Sequence, residues 1–291
     1  KVHSCGVNFA DILTIKGRYQ ERPRPPFSPG LEVSGEIIGL GSNVTEHKIG
    51  DLVMSIMKYG GYKSEIVVPS ENTYKIPSNM PLDIAAGFPV TYGTAYSALT
   101  TSAKIKMGET CLVLGATGGV GIATVEIAKA LGAKVIACGG SDNKLKSCIS
   151  KGADYVINYK ENILRNELAK LNIKEIDVVI DMIGGQYALD SVKSLKWNGR
   201  FVVVGFASGN IPNIPANRLL LKNASAIGLY WGELAYREPK SIKKDFLKLE
   251  ELYKKQLIQP SNHKIFKLEN ASEALKYLLE RKNVGKIVLS V

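Results

Sequence analysis

From Glu109 to Tyr230 the chain alternates short apolar runs with amphipathic stretches, and this rhythm constrains the fold more than any other feature. The apolar runs are TCLVLG, AKVIAC, DYVINY, IDVVIDMIG, RFVVVGF and SAIGLY; between them lie GIATVEIAKALG, NKLKSCISKG, ENILRNELAKL, YALDSVKSLKW and NRLLLKN. Brief apolar strands separated by helical segments are buried on both faces and joined by crossovers, which predicts an α/β fold with a doubly wound parallel sheet.

The flanks read differently. From Val2 to about Pro89 the strand-like segments EVSGEIIGLG, GDLVMSI and GYKSEIVVP are punctuated by Gly and Pro, as in a small β-rich barrel or partly open sheet. After Trp231 come two amphipathic helices and a last strand, GKIVLSV, Gly285 to Val291. These leftover elements are expected to fold back onto the first part. A length of 291 residues accommodates two domains. The expected division is a β-rich domain over 1–90, an α/β domain over 91–230, and a C-terminal part, 231–291, returning to the first.

The first turn of the α/β region, LGATGGVG (Leu114 to Gly121), follows an apolar strand and opens a helix near Val120. In a dinucleotide-binding βαβ unit one glycine permits a tight turn, a second admits the pyrophosphate, and a third lets helix and strand pack closely. Ala116, Gly118 and Gly121 stand in those places. Only the first is altered, and to the smallest side chain. Gly119 and Val120 then set helix N-terminal amides toward the phosphates. A glycine pattern alone is weak evidence; at the first turn of a six-unit α/β sheet it points to a Rossmann domain holding a nicotinamide dinucleotide.

An NAD-binding chain carries an acid about 20 residues further on, bonded to the ribose 2′-hydroxyl. Here the second strand reads KVIACGGSDNK and puts Gly139 at that place. With no carboxylate to repel it a 2′-phosphate is admitted, and Gly140, Ser141 and Lys144 offer exposed backbone, a hydroxyl and a cation. Tyr159, ending the next strand, is placed to lie beside the adenosine. These residues favour NADPH over NADH. The competing reading makes Ser141 a helix cap and Lys144 a surface lysine, with Asp142 as an opposing charge nearby.

The formal charge of +11, from 38 Lys and Arg against 27 Asp and Glu, favours anionic ligands. In its densest stretch, Lys240 to Gln256, Ile242, Phe246, Leu249, Leu252 and Tyr253 recur at helical spacing. That pattern makes the lysines a solvated helix face and not a nucleic-acid reading head. No apolar run approaches the ~18 residues of a membrane span. Cys5, Cys111, Cys138 and Cys148 form no C-x-x-C pair, which argues against a disulfide framework or zinc knuckle and fits a reducing compartment, cytoplasmic or another. The histidines, His3, His47 and His263, are scattered, and exposed or helix-end positions are expected for them. Lys1 follows neither an initiator Met nor a leader, so missing upstream sequence is expected and a transit peptide stays open.

Taken together, GVNFADI, PFSPGLEVSGEIIG, GDLV, TYGTAY, ATGGVG, GADYVINY and GKIVLS resemble the zinc-free quinone oxidoreductase branch of the medium-chain dehydrogenase/reductase superfamily. The resemblance covers essentially the whole chain, and IPANRLLLKNASAIGLYWG (Ile214 to Gly232) narrows it further. It implies a GroES-like β-rich catalytic domain split around the Rossmann domain, its first strands lying upstream of Lys1, with the active site in the cleft. It also implies a homodimer pairing along the last Rossmann strand near Ala226 to Tyr230. Zinc-using relatives hold a catalytic metal with Cys, His and Cys; the matching positions are Asn8, Leu31 and Ala86, so no metal is expected.

Without a metal to polarise a carbonyl, the reaction suits an acceptor that already takes hydride readily, a quinone or activated enone. The protein then has to orient the nicotinamide and donate hydrogen bonds to a developing oxyanion. By the resemblance Asn8 and Tyr19 supply these donors, Thr91 and Tyr92 lie at the nicotinamide end, and Thr94 contacts the cofactor; the competing reading makes TYGTAY only the start of a tightly packed helix. Gly205, Phe206 and Ala207, after the fifth strand, bring backbone past the nicotinamide ribose, and Gly185, after the fourth, is a further contact candidate. Asp11 either orients Asn8 or, the simpler role, sits as a carboxylate at a helix N-terminus. Where the family often has a second tyrosine two residues after that Asp, this chain has Leu13, a departure that bears on the acceptor's identity. Trp231 either lines the cleft or packs between domains. Two other functions compete: a non-catalytic NADPH-binding protein, crystallin-like or RNA-binding, and a 2-enoyl thioester reductase.

Overall fold

The computed structural model describes residues 1–291. In chain order its strands are β1 (Val2–Val7), β2 (Glu32–Glu36), β3 (Leu52–Ile56), β4 (Thr73–Lys75), β5 (Thr110–Leu114), β6 (Lys134–Gly139), β7 (Tyr155–Asn158), β8 (Ile176–Asp181), β9 (Leu195–Val203), β10 (Ser225–Gly228), β11 (Asn262–Lys267) and β12 (Lys286–Ser290). They form two six-stranded sheets. One compact unit comprises Lys1–Gly93, Trp231–Lys255 and Pro260–Val291; the other comprises Thr94–Tyr230 and Gln256–Gln259. The sequence division instead puts 91–230 in one domain and 231–291 with the first. The short return 256–259 goes instead with the second unit, where Gln259 donates its N–H to Glu126 Oε1 at 3.1 Å and its carbonyl accepts from Lys151.

In the second unit the strand order is β10-β9-β8-β5-β6-β7, and every pair is parallel. The chain starts at the central β5, runs to one edge through β6 and β7, then returns beside β5 with β8. The order therefore reverses between β5 and β8, the point where such sheets bind ligands beyond their carboxyl ends. Leu112, Ile136, Val179 and Phe201 form part of a continuous buried core. Cys111 and Cys148 are buried, which pushes their thiols up to about 12 and leaves them unreactive.

The sheet of the first unit runs β11-β12-β1-β2-β3-β4. β11 and β12 are parallel and the other pairs antiparallel. β12 pairs with β1, Cys5 opposite Leu289 and Val7 opposite Ile287, and this ladder is how the tail closes onto the start of the chain. Val7, Val33, Met57, Ile287 and Leu289 pack in one core. The Pro239–Lys254 helix buries Ile242, Phe246 and Leu249, with the Phe246 ring 4.3 Å from that of Tyr74, and its lysines face away. His3 and His263 are exposed; His47 is half-buried with both ring nitrogens covered. No helix is long and apolar enough to cross a membrane.

Candidate active site

β5 ends at Leu114, and Gly115 turns the chain with φ +80°, a region that only glycine enters without strain. The tight turn is therefore made one residue before Ala116. Ala116 is fully buried and donates its N–H to the Cys138 carbonyl at 3.0 Å, and nothing there demands a glycine. Gly121 does meet such a demand, because a Cβ on it would come 2.6 Å from Ala116 Cα. Gly118 caps the helix Gly119–Ala130, and the only atom near the place of its Cβ is the Gly115 carbonyl at 3.6 Å. A phosphate can thus approach the backbone at this helix N-terminus, which carries Gly119 and Val120 in its first turn.

At the end of β6 a Cβ on Gly139 would meet Leu145 Cδ2 at 3.0 Å and Thr117 Cγ2 at 3.1 Å. The place of the absent acid is already filled by these two side chains. Ser141 takes the N-cap position of the helix Asp142–Ser150, yet its hydroxyl makes no capping hydrogen bond, so the cap reading does not use its oxygen. Lys144 lies in the first turn of the same helix. A Cβ on Gly140 would come 2.9 Å from Lys160 Cε, which places a second cation across this glycine. Sequence reasoning missed Lys160, although it directly follows Tyr159. The Tyr159 N–H bonds the Gly139 carbonyl at 3.1 Å and its ring lies 4.1 Å from that of Tyr187.

Beyond β8, buried Asp181 accepts from the N–H groups of Ile183 at 2.8 Å and Gly184 at 2.9 Å. Burial pushes its carboxyl up to about 6, against the pull of those amides. Its carbonyl accepts from Val204 and Gly205 at 2.8 and 3.2 Å, so one residue anchors the loops after both β8 and β9. Gly185, φ +64°, donates to the Asn210 carbonyl at 2.9 Å, and Ala207 to that of Met182 at 3.0 Å. Phe206, between Gly205 and Ala207, is exposed at the carboxyl edge of the sheet. Thr94 is buried at the start of this unit.

In the first unit, Asn8 precedes the helix Phe9–Ile15 and donates its backbone N–H to Asp11 Oδ2 at 2.8 Å. Asp11 also accepts from Gly30 N at 3.1 Å and the Tyr62 hydroxyl at 2.9 Å, so it acts as the helix-start carboxylate. Burial pushes its carboxyl up to about 6. The Asn8 side chain is held separately. Its Nδ2 donates to Glu32 Oε1 at 2.9 Å and reaches the Gly6 carbonyl at 3.4 Å, while its Oδ1 accepts from Lys286 Nζ at 2.7 Å. Lys286 Nζ lies 2.5 Å from Glu32 Oε1, and Glu32 Oε2 accepts from Val90 N at 2.8 Å, in the first turn of the helix Phe88–Ser97.

That helix carries Thr91 and Tyr92. The Thr91 hydroxyl donates to the Gly87 carbonyl at 2.6 Å, and the Tyr92 ring stacks on Phe88 with centroids 4.6 Å apart. Trp231 is buried against the next residue, since a Cβ on Gly93 would lie 2.9 Å from its Cε2. Asn8, Thr91 and Tyr92 thus belong to elements joined through Glu32. Tyr19 is half-buried in the loop after the Phe9–Ile15 helix, its carbonyl accepting from Arg22 Nε at 3.4 Å. Glu32 and Lys286 were missed because they are remote in sequence; the only local signal was a charge inside each of the strand-like runs LEVSG and GKIVLS. No group of three or more His, Cys, Asp or Glu side chains could hold a metal ion.

Residues 1–78 match the family model described as an alcohol dehydrogenase GroES-like domain, and residues 119–249 match one described as a zinc-binding dehydrogenase. The chain is 42% identical over 292 residues to quinone oxidoreductase-like protein 2 of Mus musculus, covering 100% of this chain and 83% of the mouse protein. Among solved structures it resembles the quinone oxidoreductase of Thermus thermophilus, which was also determined as its NADPH complex, with 30% identity and a TM-score of 0.87 over 100% of this chain and 90% of that one. The CurK enoyl reductase shares 28% identity with a TM-score of 0.88, covering 99% of this chain and 89% of that one.

Proposed function

The chain belongs to the quinone oxidoreductase-like family of medium-chain dehydrogenase/reductases, and on that premise we propose that it is a zinc-independent, NADPH-dependent reductase of a quinone or activated enone. The observation that carries the cofactor choice is the corner beyond β6 and β7. It has no room for an acid at Gly139, a Ser141 hydroxyl unused by its own helix, and Lys144 and Lys160 nearby. That donor set fits a phosphate monoester.

When bound, NADPH supplies the hydride. Ala116, Gly118, Gly119, Val120 and Gly121 would hold its pyrophosphate, Tyr159 its adenosine side, and Thr94, Gly185, Gly205, Phe206 and Ala207 its nicotinamide side. In the first unit the Tyr19 phenol donates to the acceptor oxygen on which negative charge develops. So does the Asn8 Nδ2 hydrogen that Gly6 holds only at 3.4 Å. Thr91 and Tyr92 shape the nicotinamide end by packing, since the Thr91 hydroxyl is committed to Gly87. The test is Tyr19→Phe: kcat with a para-quinone should fall about 10- to 100-fold with NADPH affinity unchanged. An unaltered kcat removes Tyr19 from the reaction.

A second reading, reduction of a 2-enoyl thioester, is favoured by the likeness to an enoyl reductase and by Arg18, Arg22 and Arg24 in and beside the Tyr19 loop. Saturable NADPH consumption with an enoyl-coenzyme A but not with quinones would establish it. For assembly we propose a homodimer along β10. This edge strand pairs only with β9 and leaves Ser225, Ala226 and Gly228 exposed, an open ladder of the kind a second copy can continue. Light scattering showing a monomer would remove that proposal.

A further inference from the structure

We propose that Glu32 and Lys286 form a charged clamp that fixes which way the Asn8 amide faces and ties it to the helix bearing Thr91 and Tyr92, so that both are positioning residues of the acceptor site. This rests on the reading of Asn8 as a donor to the acceptor. The two ends of an Asn amide are nearly the same shape, and only hydrogen-bonding partners distinguish them. An ammonium offers only donors and a carboxylate only acceptors. With Lys286 Nζ on Oδ1 and Glu32 Oε1 on Nδ2, a flipped amide would set N–H against ammonium and oxygen against carboxylate. The closing contact between Nζ and Oε1 completes a three-membered ring, and one Nδ2 hydrogen is left only weakly engaged.

The surroundings are shaped for this ring. Glu32 is 0% exposed and the Lys286 side chain 7%. A Cβ on Gly87 would come 2.5 Å from Lys286 Cγ, and one on Gly6 would fall against Glu32 Oε1 and 2.6 Å from the Ala86 carbonyl. Both glycines therefore make room for the pair. A buried ion pair adds little stability over an apolar pair of the same volume, so stability alone is a poor reason for this charge pair. The second carboxylate oxygen carries the effect onward, because Oε2 holds Val90 N, one residue before Thr91. A single carboxylate thus fixes Asn8 relative to both.

The test compares Glu32→Gln, Lys286→Met and the double variant in the full chain. Each single change strands the opposite buried charge and should lower Tm, and the double should recover much of that loss. The clamp predicts that the recovered double still binds NADPH with wild-type affinity while kcat with a para-quinone falls on the order of 100-fold. A merely structural pair would restore kcat along with Tm. A second readout needs no turnover: the Asn8 side-chain NH₂ resonances, assigned by their loss in Asn8→Ala, should exchange slowly with solvent in the parent and rapidly in the double variant. Wild-type kcat and KM in the double, or unchanged Asn8 exchange, overturns the clamp. If the parent oxidises NADPH with no quinone or enone, the functional reading fails while the exchange measurement still decides the clamp.

Discussion

The two units are built from opposite materials around the residues singled out in each. The second unit works by leaving side chains out: Gly115 turns, Gly118 stays open, Gly121 lets the helix close on Ala116, and Gly140 lies beneath Lys160. Its ligand would meet backbone amides and surface cations over an apolar sheet. The first unit works by burying charge, with Asp11, Glu32 and Lys286 joined to Asn8, Tyr62 and Val90 by direct hydrogen bonds. A backbone cradle suits a large polyanion that is held the same way in every turnover. An oriented side-chain amide suits an oxygen whose charge appears only during reaction.

The largest expected effect lies in the charged half. Glu32→Gln removes the carboxylate paired with buried Lys286, leaving Asp11 as the nearby acid, and should cost about 3–5 kcal/mol in denaturant unfolding; a loss below ~1 kcal/mol would mean the ammonium is compensated by Asp11 or by solvent. The carboxyls of Asp11 and Asp181, both raised to about 6, come next. Between pH ~4 and ~6 the unfolded chain has released protons that the folded chain still holds, so these groups make stability fall as pH rises through that window. Asp181→Asn should remove up to about 3 kcal/mol of that fall, and parallel pH profiles for variant and parent would contradict it.

Smaller effects belong to the backbone half. Gly121→Ala should destabilise by about 1–3 kcal/mol through overpacking against Ala116, whereas Gly118→Ala should leave Tm alone and weaken NADPH binding. Equal Tm losses for the two would erase the distinction drawn between those glycines. The smallest change is Lys160→Ala, expected to weaken NADPH about tenfold with NADH untouched, since one charge-assisted contact contributes about 1.5 kcal/mol. An equal loss for both cofactors would move Lys160 away from the 2′-phosphate.

How far each half could be read in the sequence follows from the same contrast. The strands β5 to β10 announce themselves as apolar runs, and the glycines of the first turn are contiguous, so fold class and cofactor turn are local signals. Even there one role shifted: the positive φ falls on Gly115 and not on the position of Ala116, because dihedral angles are not spelled by spacing. In the first unit Asn8 could be named, but its partners Glu32 and Lys286 reach it only through the β12–β1 and β1–β2 ladders. No pattern within a short window carries that. Lys160 lies two residues beyond the end of β7, and only the path of its side chain over Gly140 brings it in.

The most direct test of NADPH-dependent, metal-free reduction is the initial rate of NADPH oxidation by full-length protein given a simple para-quinone in the presence of a chelator. NADH is run in parallel, and the uncatalysed rate is subtracted. Saturable consumption that persists with the chelator and prefers NADPH is the predicted result. No consumption above background despite measurable NADPH binding, or a rate abolished by the chelator, would contradict it.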